Sequence, residues 1–288
     1  MAANYKSELV GCFGQPVAEN PTGVMQEAGF RAAGLDWRYI TVEVAPADLA
    51  AAIQGVRAFG MQGINLTIPH KVAVIQHLDG LSEEARIIGA VTTVVREGDK
   101  LIGNNTDGKG FLSGVSVDGG MDVAGKKVVV LGAGGASRAV ATELILAGAS
   151  DLLVVNRSLD RGGAMVADIA KSTSGPIRFE PWADRPYAVS DDVDLLVNAT
   201  SIGLYPDVDS APSVDFSDAK SDLLVADAVF NPAETKFLAA AKERGLPTVD
   251  GLSMLVYQGV IGFKMWTGVD PDEAVMKKAL TDALGVGE

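Results

Sequence analysis

A lysine closes the stretch NLTIPHK, an unusual ending for an apolar segment. Ile64, Leu66 and Ile68 alternate with polar residues, so the segment is predicted to be a half-buried strand that stops at the following proline. Lysine can donate a proton to a developing alkoxide or stabilise that oxygen as a cation. Lys71 is therefore a candidate catalytic residue. An exposed lysine at a helix start is the simpler alternative.

A second polar cluster lies in GNNTDGKGF, just before the composition of the chain changes. It holds Asn104, Asn105, Thr106 and Asp107. A ligand cleft commonly lies between domains, so a cluster at a domain boundary is a candidate site. We expect Asp107 to orient and tune the amine of Lys71. An Asn/Asp turn with a capping Asp is the alternative interpretation.

A glycine turn joins the apolar strand KKVVVL to the helix RAVATELILAG. Its glycines Gly132, Gly134 and Gly135 fit a dinucleotide-binding fingerprint, in which the pyrophosphate lies at the helix N-terminus. Ser137 stands where the fingerprint has its third glycine. The complete strand–helix–strand unit around the turn predicts dinucleotide binding. A glycine turn in a nucleotide-free domain is the alternative.

The second strand of this unit ends at Asn156, where NAD-binding proteins usually carry Asp or Glu. Asn156 does not repel a 2′-phosphate, and Arg157 can bind one bidentately. Ser158 adds a hydroxyl donor and Arg161 a second cation. These residues favour NADP over NAD as the cofactor. Asp160 counts against this preference, because a carboxylate neutralises part of the positive charge.

The elements around these residues alternate between strand and helix, which is typical of an α/β protein with a mostly parallel sheet. The first half is predicted to form an α/β substrate domain that includes a hairpin with EGDK as its turn. The second half is predicted to be a Rossmann-type dinucleotide-binding domain. The final helices lack strand partners and are expected to return to the first domain. The predicted domains are residues 1–108 plus 250–288, and residues 109–249.

The bulk composition excludes several classes of protein. A net charge of −13 argues against a nucleic-acid-binding face. The single cysteine, Cys12, excludes an internal disulfide, and the two histidines do not have the spacing of a metal site. We find no apolar segment long enough to span a membrane and no signal region. The sequence therefore predicts a cytoplasmic protein without a metal, acting on a small molecule as a monomer or homodimer.

The chain resembles the shikimate dehydrogenase family along nearly its whole length. The resemblance rests on stretches in the family's order and spacing: NLTIPHK, IGAV-TVV, NTDGKGF, VVVLGAGGASRAV, NRS, NATSIG, FNPAET and GLSMLVYQG…FKMWTG. It implies NADP-linked interconversion of 3-dehydroshikimate and shikimate, with Lys71 and Asp107 as the catalytic pair. It places Thr67 and Gln258 at the substrate. Its implied cofactor positions are Gly132, Gly134, Gly135, Ala136, Asn156, Arg157, Ser158, Thr200, Gly251 and Met254.

The chain departs from the family pattern in three ways, all at substrate-side positions. Two hydroxyl residues that hold a substrate carboxylate in the family are replaced by Asn20 and Thr22, with Glu19 just before them. Thr92 stands in place of a substrate-holding Asn, and Phe230 in place of a Tyr. Asn20, Thr22 and Thr92 are expected to bind the substrate. The departures predict retained hydride chemistry in an altered pocket.

The altered pocket leaves several substrates open: shikimate, quinate, an aminoshikimate, or another cyclic polyol without a carboxylate. A non-catalytic dinucleotide-binding sensor is a further alternative. Such a sensor would keep the glycine turn but would have no reason to keep both Lys71 and Asp107.

Overall fold

The computed structural model describes residues 5–183 and 185–286. By its contacts the chain divides into two compact units. The first contains the residues up to Thr106 and those from Gly259 onward, and the second runs from Asp107 to Gln258. The domain boundaries predicted from the sequence, 1–108 with 250–288 and 109–249, remain a prediction.

The first unit is built on a mixed sheet. Among the described residues its strand order is β2-β1-β3-β5-β6-β4, with antiparallel pairing only for β3–β5 and β5–β6. Its elements are β1 (Glu8–Gly14), α1 (Thr22–Ala32), β2 (Trp37–Glu43), α2 (Leu49–Ala58), β3 (Gly63–Leu66), α3 (His70–Ala73), β4 (Gly80–Leu81), α4 (Glu83–Ile88), β5 (Thr93–Glu97), β6 (Lys100–Asn104) and α10 (Glu273–Leu284). Short 3-10 turns occupy Pro46–Asp48 and Val74–His77.

Strand β3 differs from the half-buried alternation that its sequence predicts. All four of its residues are buried, because β3 lies inside the sheet between β1 and β5. The strand ends at Leu66, so Ile68 is outside it and 69% exposed. The expectation that Ile68 anchors the strand is therefore wrong. The predicted hairpin is present as β5 and β6, where Glu97 pairs with Lys100 and Gly98 takes a positive φ of 62°.

The last helix packs against the first, as expected for the C-terminal helices. Gly29 of α1 faces Met276 of α10, and a Cβ on this glycine would lie 3.1 Å from the Met276 sulfur. Gln26 of α1 also donates a 2.8 Å hydrogen bond to the carbonyl oxygen of Gly259. The close approach depends on a residue without a side chain at position 29.

The second unit is built on a parallel sheet. In the described part of the chain its strand order is β14-β13-β11-β7-β8-β9. Its elements are α5 (Asp107–Val117), β7 (Lys127–Leu131), α6 (Gly135–Leu146), β8 (Asp151–Asn156), α7 (Leu159–Ser172), β9 (Ile177–Pro181), β10 (Tyr187–Ala188), β11 (Leu195–Asn198), β12 (Val214–Asp215), β13 (Leu224–Asp227), α8 (Lys236–Glu243) and β14 (Thr248–Val249), followed by α9 (Gly251–Thr267).

This strand order has a reversal between β7 and β11. From β7 the chain builds outward through β8 and β9, and it then returns to build β11, β13 and β14 on the other side. Ligands of doubly wound sheets bind at the carboxyl ends of the strands, at such a reversal. The residues that follow β7, β8, β11 and β13 therefore form the candidate ligand site of this unit. Apolar residues from both faces of the sheet, such as Val130 and Leu131, are fully buried.

A helix with the length and apolar character that a bilayer requires is not found in residues 5–183 and 185–286.

Candidate functional site

The glycine turn, residues 132–137, leaves β7 and begins α6. Gly132 has a φ of 110°, and a Cβ there would lie 2.8 Å from the Ala199 carbonyl oxygen. A side chain at this position is therefore excluded by both conformation and space. By contrast, nothing lies within 4 Å of the Cβ positions of Gly134 and Gly135. This open space lies at the N-terminus of α6, where backbone N–H groups and the helix dipole favour an anion.

Ser137 explains why the third glycine of the fingerprint is dispensable here. Its hydroxyl donates a 2.7 Å hydrogen bond to the carbonyl oxygen of Gly132, and the side chain is fully buried. The bond closes the turn from within. The serine therefore fills the position with a contact that stabilises the conformation of Gly132.

A cavity of about 430 Å³ opens beside the glycine turn, at the reversal of the sheet. Eight of the predicted cofactor residues line it: Gly132, Gly134, Gly135, Ala136, Asn156, Arg157, Arg161 and Thr200. The remaining wall was not predicted as a cofactor site from the sequence, and consists of Ala133, Trp182, Ala199, Ser201, Ile202, Leu204, Ala228, Val229 and Phe230. Phe230, one of the departures from the family pattern, thus lies at the cavity of the second unit.

The cation-bearing end of this cavity follows β8. The side-chain amide of Asn156 donates a 3.0 Å hydrogen bond to the Ser158 carbonyl oxygen. The Ser158 hydroxyl caps α7 by accepting a bond from the backbone N–H of Arg161 at 3.3 Å. Its own proton remains available for donation, since a hydroxyl both accepts and donates. Two guanidinium groups without a carboxylate at position 156 fit a phosphorylated ribose.

Ser158, Gly251 and Met254 were also predicted as cofactor residues, but they do not line the cavity. Gly251 begins α9, and a Cβ on it would lie 2.2 Å from the Val229 carbonyl oxygen. Gly251 therefore packs against the backbone of Val229, a residue of the cavity wall. Met254 packs against the hydrophobic core of the second unit. Their direct contact with a cofactor remains a prediction.

Lys71 lies in the short helix α3 of the first unit. Burial raises the pKa of the Cys12 thiol to about 11, while a hydrogen bond with Tyr39 and the charge of Lys71 act in the opposite direction. Lys71 therefore lies near enough to Cys12 of β1 for its charge to lower the pKa of that thiol. Thr67 lies just after β3, and its methyl group occupies the place that a Cβ of Gly14 would need. The turn around Lys71 is further anchored by buried His70, which donates to the Val44 carbonyl oxygen at 2.7 Å.

Asn20 and Thr22 precede and begin α1 in the first unit. The Asn20 side-chain oxygen accepts a 3.0 Å bond from the backbone N–H of Thr22, and its amide nitrogen lies 3.9 Å from the Cys12 sulfur. Thr22 is 4% exposed. Glu19 is exposed, so its carboxylate can be solvated. Since Cys12 is also within the field of Lys71, these polar groups occupy one region of the first unit.

Thr92 has a structural role that the sequence did not indicate. It is 3% exposed, and its hydroxyl oxygen accepts a 2.8 Å bond from the backbone N–H of Thr106. A buried chain of bonds continues from the Thr106 hydroxyl to Thr93 at 2.9 Å and from Thr93 to Asn65 at 3.0 Å. The contact of Thr92 with a substrate remains a prediction.

Asp107 and Gln258 belong to two helices of the second unit that pack closely. Asp107 is the first residue of α5. A Cβ on Gly110 of the same helix would lie 2.6 Å from the backbone nitrogen of Gln258 in α9. The Gln258 side-chain amide donates a hydrogen bond to the Leu255 carbonyl oxygen at 3.1 Å. The two predicted site residues are thus positioned by one helix pair.

The sheet reversal, the glycine turn and the two arginines define a Rossmann-type dinucleotide-binding protein that carries a second α/β unit. Profiles of three domain families match the chain: the shikimate dehydrogenase substrate binding domain over residues 12–94, shikimate/quinate 5-dehydrogenase over residues 117–203, and the shikimate 5′-dehydrogenase C-terminal domain over residues 251–281. The chain belongs to the shikimate dehydrogenase family.

Individual relatives agree over the full length. The shikimate dehydrogenase (NADP(+)) of Carboxydothermus hydrogenoformans is 42% identical, covering 97% of this chain and 99% of its own. A crystal structure of 5-ketofructose reductase from Gluconobacter sp. strain CHM43 is 45% identical with a TM-score of 0.92, covering 97% of this chain and 99% of that one. A Thermus thermophilus shikimate 5-dehydrogenase in complex with NADP(H) and shikimate is 35% identical with a TM-score of 0.83, covering 96% and 99%.

These comparisons confirm three predictions made from the sequence: the family, the α/β fold class with a Rossmann-type unit, and the activity of an NAD(P)-dependent oxidoreductase. The alternative of a non-catalytic sensor is not supported by relatives that are named as dehydrogenases.

Proposed function

We propose that the protein transfers hydride reversibly between NADP and a ring hydroxyl of a polyhydroxylated substrate, with shikimate as the first candidate. In that case 3-dehydroshikimate and NADPH are converted to shikimate and NADP. The observation that carries the proposal is the cavity that brings the glycine turn together with Arg157 and Arg161. The curated relatives named shikimate dehydrogenase (NADP(+)) support the same choice of cofactor and substrate.

The cavity fits a phosphorylated dinucleotide. The open space at Gly134 and Gly135 accommodates a pyrophosphate against the start of α6. Arg157 and Arg161 hold the 2′-phosphate through charge-assisted hydrogen bonds, with the Ser158 hydroxyl as a further donor. When bound, NADPH supplies the hydride for the reduction of a carbonyl carbon.

The remaining chemistry belongs to side chains of this chain. As hydride reaches the carbonyl carbon, negative charge develops on the oxygen and a proton must be supplied. The Lys71 ammonium donates this proton, and the Asp107 carboxylate orients the amine. Oxidation of the alcohol runs the same transfer in reverse, with the Lys71 amine as the base. Asn20, Thr22, Thr67, Thr92 and Gln258 are the proposed substrate-binding residues.

A second candidate substrate is a sugar-like carbonyl compound that lacks a carboxylate. Two observations favour it. The chain is 45% identical to the 5-ketofructose reductase, a value as high as its 42% identity to the shikimate dehydrogenase (NADP(+)) of Carboxydothermus hydrogenoformans. The departures at Asn20, Thr22 and Thr92 also fall at positions that the family resemblance assigns to the substrate. An Asn amide donates and accepts hydrogen bonds, which suits a hydroxyl as well as a carboxylate.

Steady-state kinetics decide between the two candidates. The rate is measured with 3-dehydroshikimate and with 5-ketofructose in the presence of NADPH, and with shikimate and quinate in the presence of NADP. A kcat/KM for the shikimate pair of roughly 10⁴ M⁻¹s⁻¹ or above establishes the first candidate. A value of that order for 5-ketofructose alone establishes the second. Absence of turnover on every substrate would overturn the proposed function.

The proposed setting of this reaction is the cytoplasm. The enzyme acts there on a small molecule as a monomer or homodimer, without nucleic acid or a membrane as a partner. The acidic balance of the sequence is consistent with this setting, because a net charge of −13 disfavours nucleic acid and anionic surfaces.

A further inference from the structure

Two buried polar residues end neighbouring strands beside the cavity. Asn198 closes β11 and Asp227 closes β13, and the two residues are direct partners in the parallel pairing of these strands. Neither side chain is exposed to solvent. The residues that follow each strand form one wall of the cavity, namely Ala199, Thr200, Ser201, Ile202 and Leu204 after β11, and Ala228, Val229 and Phe230 after β13.

Asn198 connects its own loop to the next one with both ends of its amide. Its nitrogen donates a 2.9 Å hydrogen bond to a carboxylate oxygen of Asp227. Its oxygen accepts bonds from the backbone N–H of Thr200 at 3.1 Å and from the Thr200 hydroxyl at 2.7 Å. The position of Thr200 at the cavity therefore depends on the position of Asp227.

Asp227 holds both ends of the segment that follows it. The same oxygen that binds Asn198 accepts a 2.9 Å bond from the backbone N–H of Val229. The other oxygen accepts a 2.7 Å bond from the hydroxyl of Thr235. Thr235 in turn caps α8, since its side chain accepts a bond from the backbone N–H of Leu238. Residues 228–235, including the part that lines the cavity, are thus anchored at their start and end.

Burying a carboxyl group at this strand end costs folding free energy that a buried apolar side chain would not. Burial raises the pKa of Asp227 to about 6, against the opposing effect of its three hydrogen bonds. The groups that contact it are neutral: an amide, a hydroxyl and a backbone N–H. Buried polar networks that satisfy every member specify one arrangement of the elements they join. We therefore infer that this carboxyl group arranges the loops that follow β11 and β13.

We propose that Asp227 and Asn198 are positioning residues that set the wall of the cofactor cavity and thereby the affinity for the dinucleotide. Neither residue lines the cavity itself. The inference rests on the proposed function, because it takes the cavity to be the site of NADP. According to this inference, two strand-end residues contribute to cofactor affinity by fixing the cavity wall. Their contribution adds to those of the glycine turn and the arginines.

Paired variants of Asp227 test the proposal. Asp227→Asn keeps an oxygen for Asn198 and Val229 and can donate to the Thr235 oxygen, so its Kd for NADPH is expected to stay within about threefold of wild type. Asp227→Ala leaves these partners without an acceptor, and its Kd is expected to rise about tenfold or more. Binding is measured by NADPH fluorescence on protein whose circular dichroism matches wild type. Thr142→Val is the matched control, because it alters a buried polar residue of α6 whose hydroxyl has no hydrogen-bond partner.

A second pair covers the case in which Asp227→Ala does not fold. Thr235→Val removes one donor to Asp227, and Thr235→Ser keeps it. The valine variant is expected to bind NADPH about three- to tenfold more weakly than the serine variant. A purely structural role would lower the melting temperature while leaving the Kd of the folded protein unchanged, and that result would overturn the inference. Failure of the wild type to bind NADPH would instead overturn the proposed function.

Discussion

The hydroxyl of Thr92 accepts a 2.8 Å hydrogen bond from the backbone N–H of Thr106, and both residues are buried. Thr106 immediately precedes Asp107, the proposed partner of the catalytic lysine. Thr92, which stands where the family resemblance implies a substrate-holding Asn, therefore binds the backbone next to the proposed catalytic carboxylate.

Removing this hydroxyl is expected to affect stability and turnover together. Thr92→Val leaves the Thr106 N–H buried without its acceptor, at a cost of about 1–3 kcal/mol in the free energy of unfolding. Thr92→Ser keeps the acceptor and should remain close to wild type. The check is chemical denaturation of all three proteins alongside kcat. Equal stability of the valine and serine variants would contradict the assigned role.

Lys71→Ala is expected to lower kcat by about 10²–10⁴-fold while changing KM much less, because proton transfer contributes in the transition state. Lys100→Ala, at the exposed start of β6, is the matched control and should retain wild-type kinetics. Initial rates at saturating NADPH provide the measurement. A kcat that survives the loss of Lys71 would remove this residue from the chemistry.

Arg157→Ala is expected to weaken NADP by about ten- to a hundredfold and NAD much less, since the guanidinium is proposed to bind the 2′-phosphate that only NADP carries. The Kd of each cofactor is measured by titration. Arg244→Ala, at the exposed end of α8, controls for the loss of one positive charge in the same unit. Equal losses for both cofactors would show that Arg157 does not discriminate between them.

Trp182 is expected to contact the cofactor near its adenine end, because it lies in the cavity beside Asn156 and its backbone N–H donates to the Asn156 carbonyl oxygen at 3.0 Å. Trp182→Leu should weaken NADP and NAD by similar factors of about three to ten, since ring contact does not involve the 2′-phosphate. NADPH should quench the tryptophan emission of wild type and of Trp37→Phe, but much less that of Trp182→Leu. Undiminished quenching in Trp182→Leu would place the cofactor elsewhere.

The titration of Asp227 is expected to make the free energy of unfolding depend on pH. Its folded-state pKa is raised from 3.8 to about 6 by burial, so the folded protein binds the proton more tightly than the unfolded chain. Its stabilising contribution is present below the unfolded-state pKa and is lost as the pH rises through about 6. Between about pH 4 and pH 7, wild type should lose on the order of 3 kcal/mol relative to Asp227→Asn, which does not titrate.

Denaturation of the two proteins at several pH values checks this expectation, because other titrating groups cancel in the difference. A difference in unfolding free energy that is constant across the range would contradict it.

The sequence alone was sufficient to predict features formed by residues close together in the chain. The glycine turn, the arginines after β8 and the β5–β6 hairpin are local patterns, and each is present as predicted, since backbone conformation and spacing define them. Ile68 shows the limit of periodicity. Its alternation with Ile64 and Leu66 is real, but the strand ends at Leu66.

Tertiary structure decided what depends on distant partners. Trp182 reaches the cavity only because β9 pairs with β8, and Thr92 meets Thr106 because the chain turns back after β5 and β6 pairs with it. Asn198 and Asp227 are 29 residues apart and become neighbours through the pairing of β11 with β13. Residue types determined the chemistry that this protein can perform. The strand order determined which of those side chains share a site. The reason is that hydrogen bonds and burial depend on distances of a few ångströms in space and not on the number of residues between the partners.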